Sequence, residues 1–99
     1  MVNIKLLIWD EWNVVHIARH NVSPEEVEEI CFTDPLVQQG NKGRTMLVGL
    51  TKAGRIIRVV LDPEQEEGVY YPVTAHTASK KDRSLYEKRK EVNQNDYKN

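Results

Sequence analysis

Residues 16–20 read His16-Ile17-Ala18-Arg19-His20. On a helix the two imidazoles, at i and i+4, share a face with Asn13, while Val14, Ile17 and Ala18 point elsewhere. Histidine titrates near physiological pH, so the pair can supply a general acid or base. The same spacing could chelate zinc, but Ile17 stands where a zincin carries its glutamate, and there is no obvious third ligand beyond a distant His76 or Cys31. Metal binding is therefore not expected, and the plainer alternative is a pair of surface or helix-capping histidines. Arg58 is the second residue of chemical interest, because it interrupts the run Ile56, Ile57, Val59, Val60, Leu61. A guanidinium in mid-strand must meet an anion or reach water. An ion pair with one of the many glutamates is one outcome; a phosphate site, for which the guanidinium fork is well shaped, is the other.

These groups need a scaffold, and the sequence supplies the signals for one. Asn3 to Trp9 is short and apolar and reads as a strand. Asp10 is placed to N-cap a helix running to Ala18–His20, with Asn21 as a left-handed stop. Ser23-Pro24-Glu25-Glu26 is a capping box with proline at the first helical position, and Val27, Ile30 and Cys31 form the apolar stripe of a second helix that Asp34-Pro35 ends. From Leu36 the pattern becomes extended. Thr45–Thr51 and Arg55–Leu61 flank Lys52-Ala53-Gly54, a three-residue hairpin loop, and Val69–Ala75 follows as the next strand. Ser79 then caps a last helix with Asp82 at its third position and Leu85 and Tyr86 as apolar contacts. The expected fold is α+β: an N-terminal strand and two short helices packed on an antiparallel sheet of about four strands, with a C-terminal helix. One domain over residues 1–91 and a frayed tail over 92–99 are expected.

Side chains alternate across a sheet and directly paired residues share a side. If Thr51 pairs with Arg55, then Val48 pairs with Arg58, and a turn centred near Gln65 extends that parity. One face then holds Thr45, Leu47, Ile57, Val59, Leu61, Val69, Val73 and Ala75, suited to receive the helices. The other holds Arg44, Met46, Val48, Arg58, Val60, Tyr70, Thr74 and His76, an apolar floor set with cations, a hydroxyl, a phenol and an imidazole.

Composition narrows the function classes. The chain has 99 residues, a formal charge of -1 and a single cysteine. That allows one core, no disulfide framework and no cysteine-rich zinc module. No apolar run approaches the ~18–20 residues that cross a bilayer, and no secretory leader is recognised, so a cytoplasmic location without membrane association is expected. Cys31 falls on an apolar stripe and reads as a packed thiol rather than a nucleophile. Trp9 and Trp12 could be stacking platforms, but beside an apolar strand they read as core residues. There is no phosphate loop, nucleophile elbow or dinucleotide fingerprint, and no cofactor is expected. The near-neutral total hides a pattern: the charge is -6 over residues 10–34 and +5 over residues 35–61. An acidic helical layer beside a basic sheet suits a local phosphate site and a charged partner surface rather than indiscriminate nucleic-acid binding.

The order of pieces resembles the BrnT family of ribonuclease toxins from bacterial type II toxin–antitoxin pairs, over about Ile8 to Glu87. The resemblance rests on Trp9-Asp10 opening a short helix, Arg19-His20-Asn21-Val22-Ser23 with Glu25-Glu26 behind it, and Asp34-Pro35. It continues through the hairpin Gly49-Leu50-Thr51-Lys52-Ala53-Gly54-Arg55 with Val59-Val60, and Val73-Thr74-Ala75 leading to Arg83 and Tyr86. It implies a RelE-like fold, metal-free RNA cleavage, a BrnA-like antitoxin encoded alongside, and contact with DNA only through that antitoxin. The family's basic-histidine pair maps to Arg19-His20 and its hairpin arginine to Arg55. This chain carries Trp12 and His16 where the family has lysine and asparagine, Asn21 where it has glycine, and His76-Thr77 where it has a basic pair. In a ribonuclease, Arg44, Arg55 and Arg58 would hold phosphate and His20 or His76 would act as base or acid. Arg19, Tyr70, Thr74 and His16 would help to bind substrate. Parity puts Arg55 on the face opposite Arg58, so the two serve one site only if the strand end twists. A catalytically weak or inactive module that binds a protein or RNA is the alternative.

Overall fold

The computed structural model describes the backbone of residues 3–98 and the side chains of residues 3–89. In chain order the elements are β1 (Leu6–Leu7), α1 (Glu11–Ala18), α2 (Pro24–Cys31), β2 (Leu36–Gln39), a 3-10 turn (Asn41–Gly43), β3 (Thr45–Leu50), β4 (Ile56–Pro63), β5 (Val69–Thr77) and α3 (Lys80–Lys98). The fold is α+β, as the sequence implies. The five strands run β1-β5-β4-β3-β2 across one sheet, one more than expected, because Leu36–Gln39 pairs antiparallel with β3. The sheet is also mixed: β1 lies parallel to β5, with Leu6 opposite Val69. Helix α3 runs on to Lys98, through the stretch from Val92 read as a tail, which holds no Gly or Pro to break it.

Local signals explain the two short helices. The Asp10 side chain accepts from the Asn13 N–H while the Asn13 side chain accepts from the Asp10 N–H. Ser23 and Glu26 make the same reciprocal pair at α2, with Pro24 at its start. Each satisfies two amide donors that a helix start leaves unpaired. Asn21 takes the left-handed conformation at φ 59° and turns the chain between them.

Both helices lie on one face. Ile17 from α1 and Val27, Ile30 and Cys31 from α2 pack with Val22, Leu7, Leu47, Ile57, Val59, Leu61 and Ala75 into a single cluster. Burying each large aliphatic side chain contributes about 1.5–3 kcal/mol. At Gly49 α2 approaches β3 so closely that a Cβ would stand 2.8 Å from Ile30 Cγ2. Because Ile30 is fully buried it has little room to yield, and Gly49→Ala is expected to lose about 1–3 kcal/mol, read as a lowered midpoint in thermal unfolding by circular dichroism.

The hairpin forms as the sequence implies: the Thr51 N–H donates to the Arg55 carbonyl, the Thr51 hydroxyl accepts from the Arg55 N–H, and Gly54 takes φ 87°. Val48 therefore pairs with Arg58, and Arg58 in turn with His76. Parity fails farther along. A bulge at Val60/Leu61 leaves Val60 opposite Thr74 but Leu61 opposite Pro72. Pro72, which has no N–H for the ladder, turns to the core, and the alternation is reversed beyond it. Tyr70 consequently packs against the core beside Ile4 and Trp9, not beside Arg58, and Val69 and Val73 are not part of the core cluster.

Candidate active site

The first turn of α3 is brought to the sheet face opposite α1 and α2. Ser79 caps it, accepting from the Asp82 N–H, and the Asp82 carboxylate accepts from Arg58 Nη1 at 3.1 Å. This pair is largely shielded, with the aspartate side chain 9% and the arginine 25% exposed. Arg58 Nη2 also contacts the sulfur of Met46. The mid-strand guanidinium has thus found an anion, an aspartate from the far end of the chain rather than a glutamate.

His76 stands directly across from Arg58 on the same face. Its Nδ1 lies 3.0 Å from the Thr77 carbonyl. A carbonyl only accepts, so this nitrogen holds the proton of the neutral ring and leaves Nε2 as the basic atom. Next to β5, whose upper half has no strand on its outer side among the described residues, α1 and the turn after it present His16 and His20. His20 meets His76 edge-on with ring centroids 6.0 Å apart. His16 meets His20 at 5.5 Å and lies with Nε2 3.2 Å from the Thr74 hydroxyl. Trp12 stacks flat on His16, 5.0 Å away at an interplanar angle of 5°. Four rings thus form one row from the solvent side of α1 round the sheet edge to Arg58.

Spacing on α1 explains the row. Trp12 and His16, four residues apart, superpose on adjacent turns of α1, and His20 follows at the same interval in the turn just past its end. Trp12 is 59% exposed, which corrects its expected place in the core; Trp9 does pack against the core and sends its indole N–H to Glu28. Asn13 is corrected as well. It sits at the border of the histidine face and turns inward, fully buried, where Nδ2 donates to the carbonyls of Ile8 and Pro72. The bond to Pro72 ties α1, and with it the row, to β5. Tyr71 adds a tie at the same end, donating to both carboxylate oxygens of Asp10. Partial desolvation, this hydrogen bond and the charges of Asp10 and Glu64 raise the phenol's pKa.

A depression of about 450 Å³ adjoins Arg58, lined by Gly40, Asn41, Lys42, Arg44, Met46 and Val60. Arg44 lies there as parity implies and binds Asp62 at 2.9 Å. Arg55 does not join the group. It lies on the helix side, bound to Glu26 and to the Asn21 carbonyl, so the parity reading holds and the two arginines do not share a site. Arg19 lies beyond the row, in a shallow groove of α1 with Glu11, Trp12, Val15 and His16. Of the residues singled out in the sequence, Arg58, His76, His20, His16 and Thr74 are brought together, Arg44 and Arg19 flank them, and Tyr70 and Arg55 are elsewhere.

Among the described residues no set of three or more His, Cys, Asp or Glu side chains is disposed to hold a metal ion. Cys31 is buried, and burial, with the charge of Glu28, pushes its thiol up to about 12, which leaves it without nucleophilic character. No helix is long and apolar enough to cross a membrane among the described residues. Compared with known proteins, the sequence matches no family model and no curated protein.

Proposed function

We propose that the chain is a metal-independent endoribonuclease of the BrnT type, acting in the cytoplasm as the toxin of a type II pair. A BrnA-like antitoxin would be its protein partner and its only link to DNA. The observation that carries the reading is the placement of two imidazoles, His76 and His20, 6.0 Å apart between ring centroids, beside an arginine paired across the strand. RNA cleavage needs those three parts. Nε2 of His76 takes the proton of a 2′-OH, the 2′-oxygen attacks the adjacent phosphorus, and protonated His20 gives its proton to the departing 5′-oxygen. The products are a 2′,3′-cyclic phosphate and a 5′-hydroxyl. Arg58 faces the charge that builds on the phosphorane, where a preorganised cation is worth most. Asp82 holds its guanidinium in place and leaves part of the fork for phosphate.

Purified protein is expected to cleave single-stranded RNA in EDTA and to leave a strand intact where a 2′-deoxynucleotide replaces the one 5′ of the scissile bond. Cleavage of both strands, or of neither, removes the proposal. One observation favours a second reading, a non-catalytic BrnT-like binding module: Arg44, Arg55 and Arg58 are all engaged by carboxylates. Binding of RNA or of a partner protein without cleavage would select it.

A further inference from the structure

We infer that the outer ring face of Trp12 is a nucleobase platform, and that the RNA this chain takes is single-stranded. The inference deepens the ribonuclease reading and rests on it for the identity of the ligand as RNA. Trp12 is the most exposed large apolar side chain described, at 59%, yet it does not hang free. One face of the indole lies flat on His16, whose ring is fixed in turn by the Thr74 hydroxyl and by contact with His20. A tryptophan held in this way presents its second face with little rotamer freedom left to lose on binding.

The surroundings suit a base better than an apolar protein surface. Val15 is the one other apolar residue of the groove; Glu11, His16 and Arg19 make up the rest. Arg19 can meet a phosphate at one end, and Glu11 at the other repels one. The ring row links the platform to His76 with no step longer than 6.0 Å between centroids. A base on Trp12 therefore anchors the same strand whose phosphate lies among His76, His20 and Arg58. A duplex cannot use such a platform, because its bases are stacked on one another and an A-form major groove is too deep and narrow for side chains to read.

The test uses a Trp9→Phe background, in which Trp12 is the one remaining tryptophan of the two. Its emission is followed on titration with a short adenine-rich oligodeoxynucleotide, which lacks the 2′-OH and cannot be cleaved. The single strand is expected to quench Trp12, while its duplex and an abasic strand of equal length do not. Trp12→Ala should weaken binding of the single strand by about tenfold or more, the usual worth of one base on an aromatic ring, and Trp12→Phe should retain most of it. Equal binding of abasic and base-bearing strands, or unchanged binding by Trp12→Ala, overturns the platform. Emission that no oligonucleotide moves does the same and leaves the groove to a protein partner. Binding through Trp12 with no cleavage of the ribose counterpart keeps the platform and removes the ribonuclease; cleavage with no role for Trp12 does the reverse.

Discussion

Replacing His76 by alanine is expected to lower the rate of RNA cleavage by about 10²- to 10⁴-fold, the usual contribution of a positioned general base. The fold should not change. His76 lies outside the core cluster, and its ring makes one hydrogen bond, to the carbonyl of the next residue, so its loss opens no cavity. Single-turnover cleavage at saturating protein measures the effect, with unfolding by circular dichroism as the control. Arg58→Ala is expected to lose about 10²-fold or more, but for a mixed reason. It strips Asp82 of its partner in a shielded place, and breaking a buried pair is strongly destabilising. A loss of rate in His76→Ala without a loss of stability is therefore the cleaner sign. Cleavage unchanged in both variants removes this site from the reaction.

Asn13→Leu is expected to destabilise the protein by about 2–4 kcal/mol. The side chain is fully buried and makes three hydrogen bonds: its oxygen accepts from the Asp10 N–H, and its amide donates to the carbonyls of Ile8 and Pro72. Leucine fits the apolar surroundings but leaves those backbone groups unpaired, at about 1–3 kcal/mol for each one kept from water. The total is a large part of the 5–15 kcal/mol that holds a small domain together. Denaturant unfolding checks the figure. A fall of less than 1 kcal/mol would mean that water replaces all three bonds. Because the bond to Pro72 holds α1 to β5, the variant should also loosen the ring row and lose cleavage at temperatures where it is still folded.

Much of the fold was legible because its signals are local. Ser23-Pro24-Glu25-Glu26 starts α2 without help from distant residues, and the short loop Lys52-Ala53-Gly54 sets the parity that puts Val48, Arg58 and His76 in one line across the sheet. What escaped depends on contacts far apart in the chain. The bulge that turns Pro72 inward and takes Tyr70 away from Arg58 arises where β4 meets β5, and no turn rule predicts it. The carboxylate on Arg58 comes from residue 82, and the one on Arg55 from residue 26; charge composition shows that anions abound but not which one arrives. Trp12 is a different case. Its type suggested burial, yet its spacing to His16 and His20 placed it on the outer stripe, and period outweighed hydrophobicity.

The pairing of Leu6 with Val69 has a consequence in time. A strand of two residues has no independent stability, so β1 is ordered only when β5 is there to receive it. Contacts between such distant stretches are the slow ones to form, and synthesis delivers the N-terminal end first. His16 and His20 therefore leave the ribosome long before the strand that carries His76. The two halves of the ring row stay apart until β5 has emerged, so the site cannot assemble on a nascent chain that stops short of that strand.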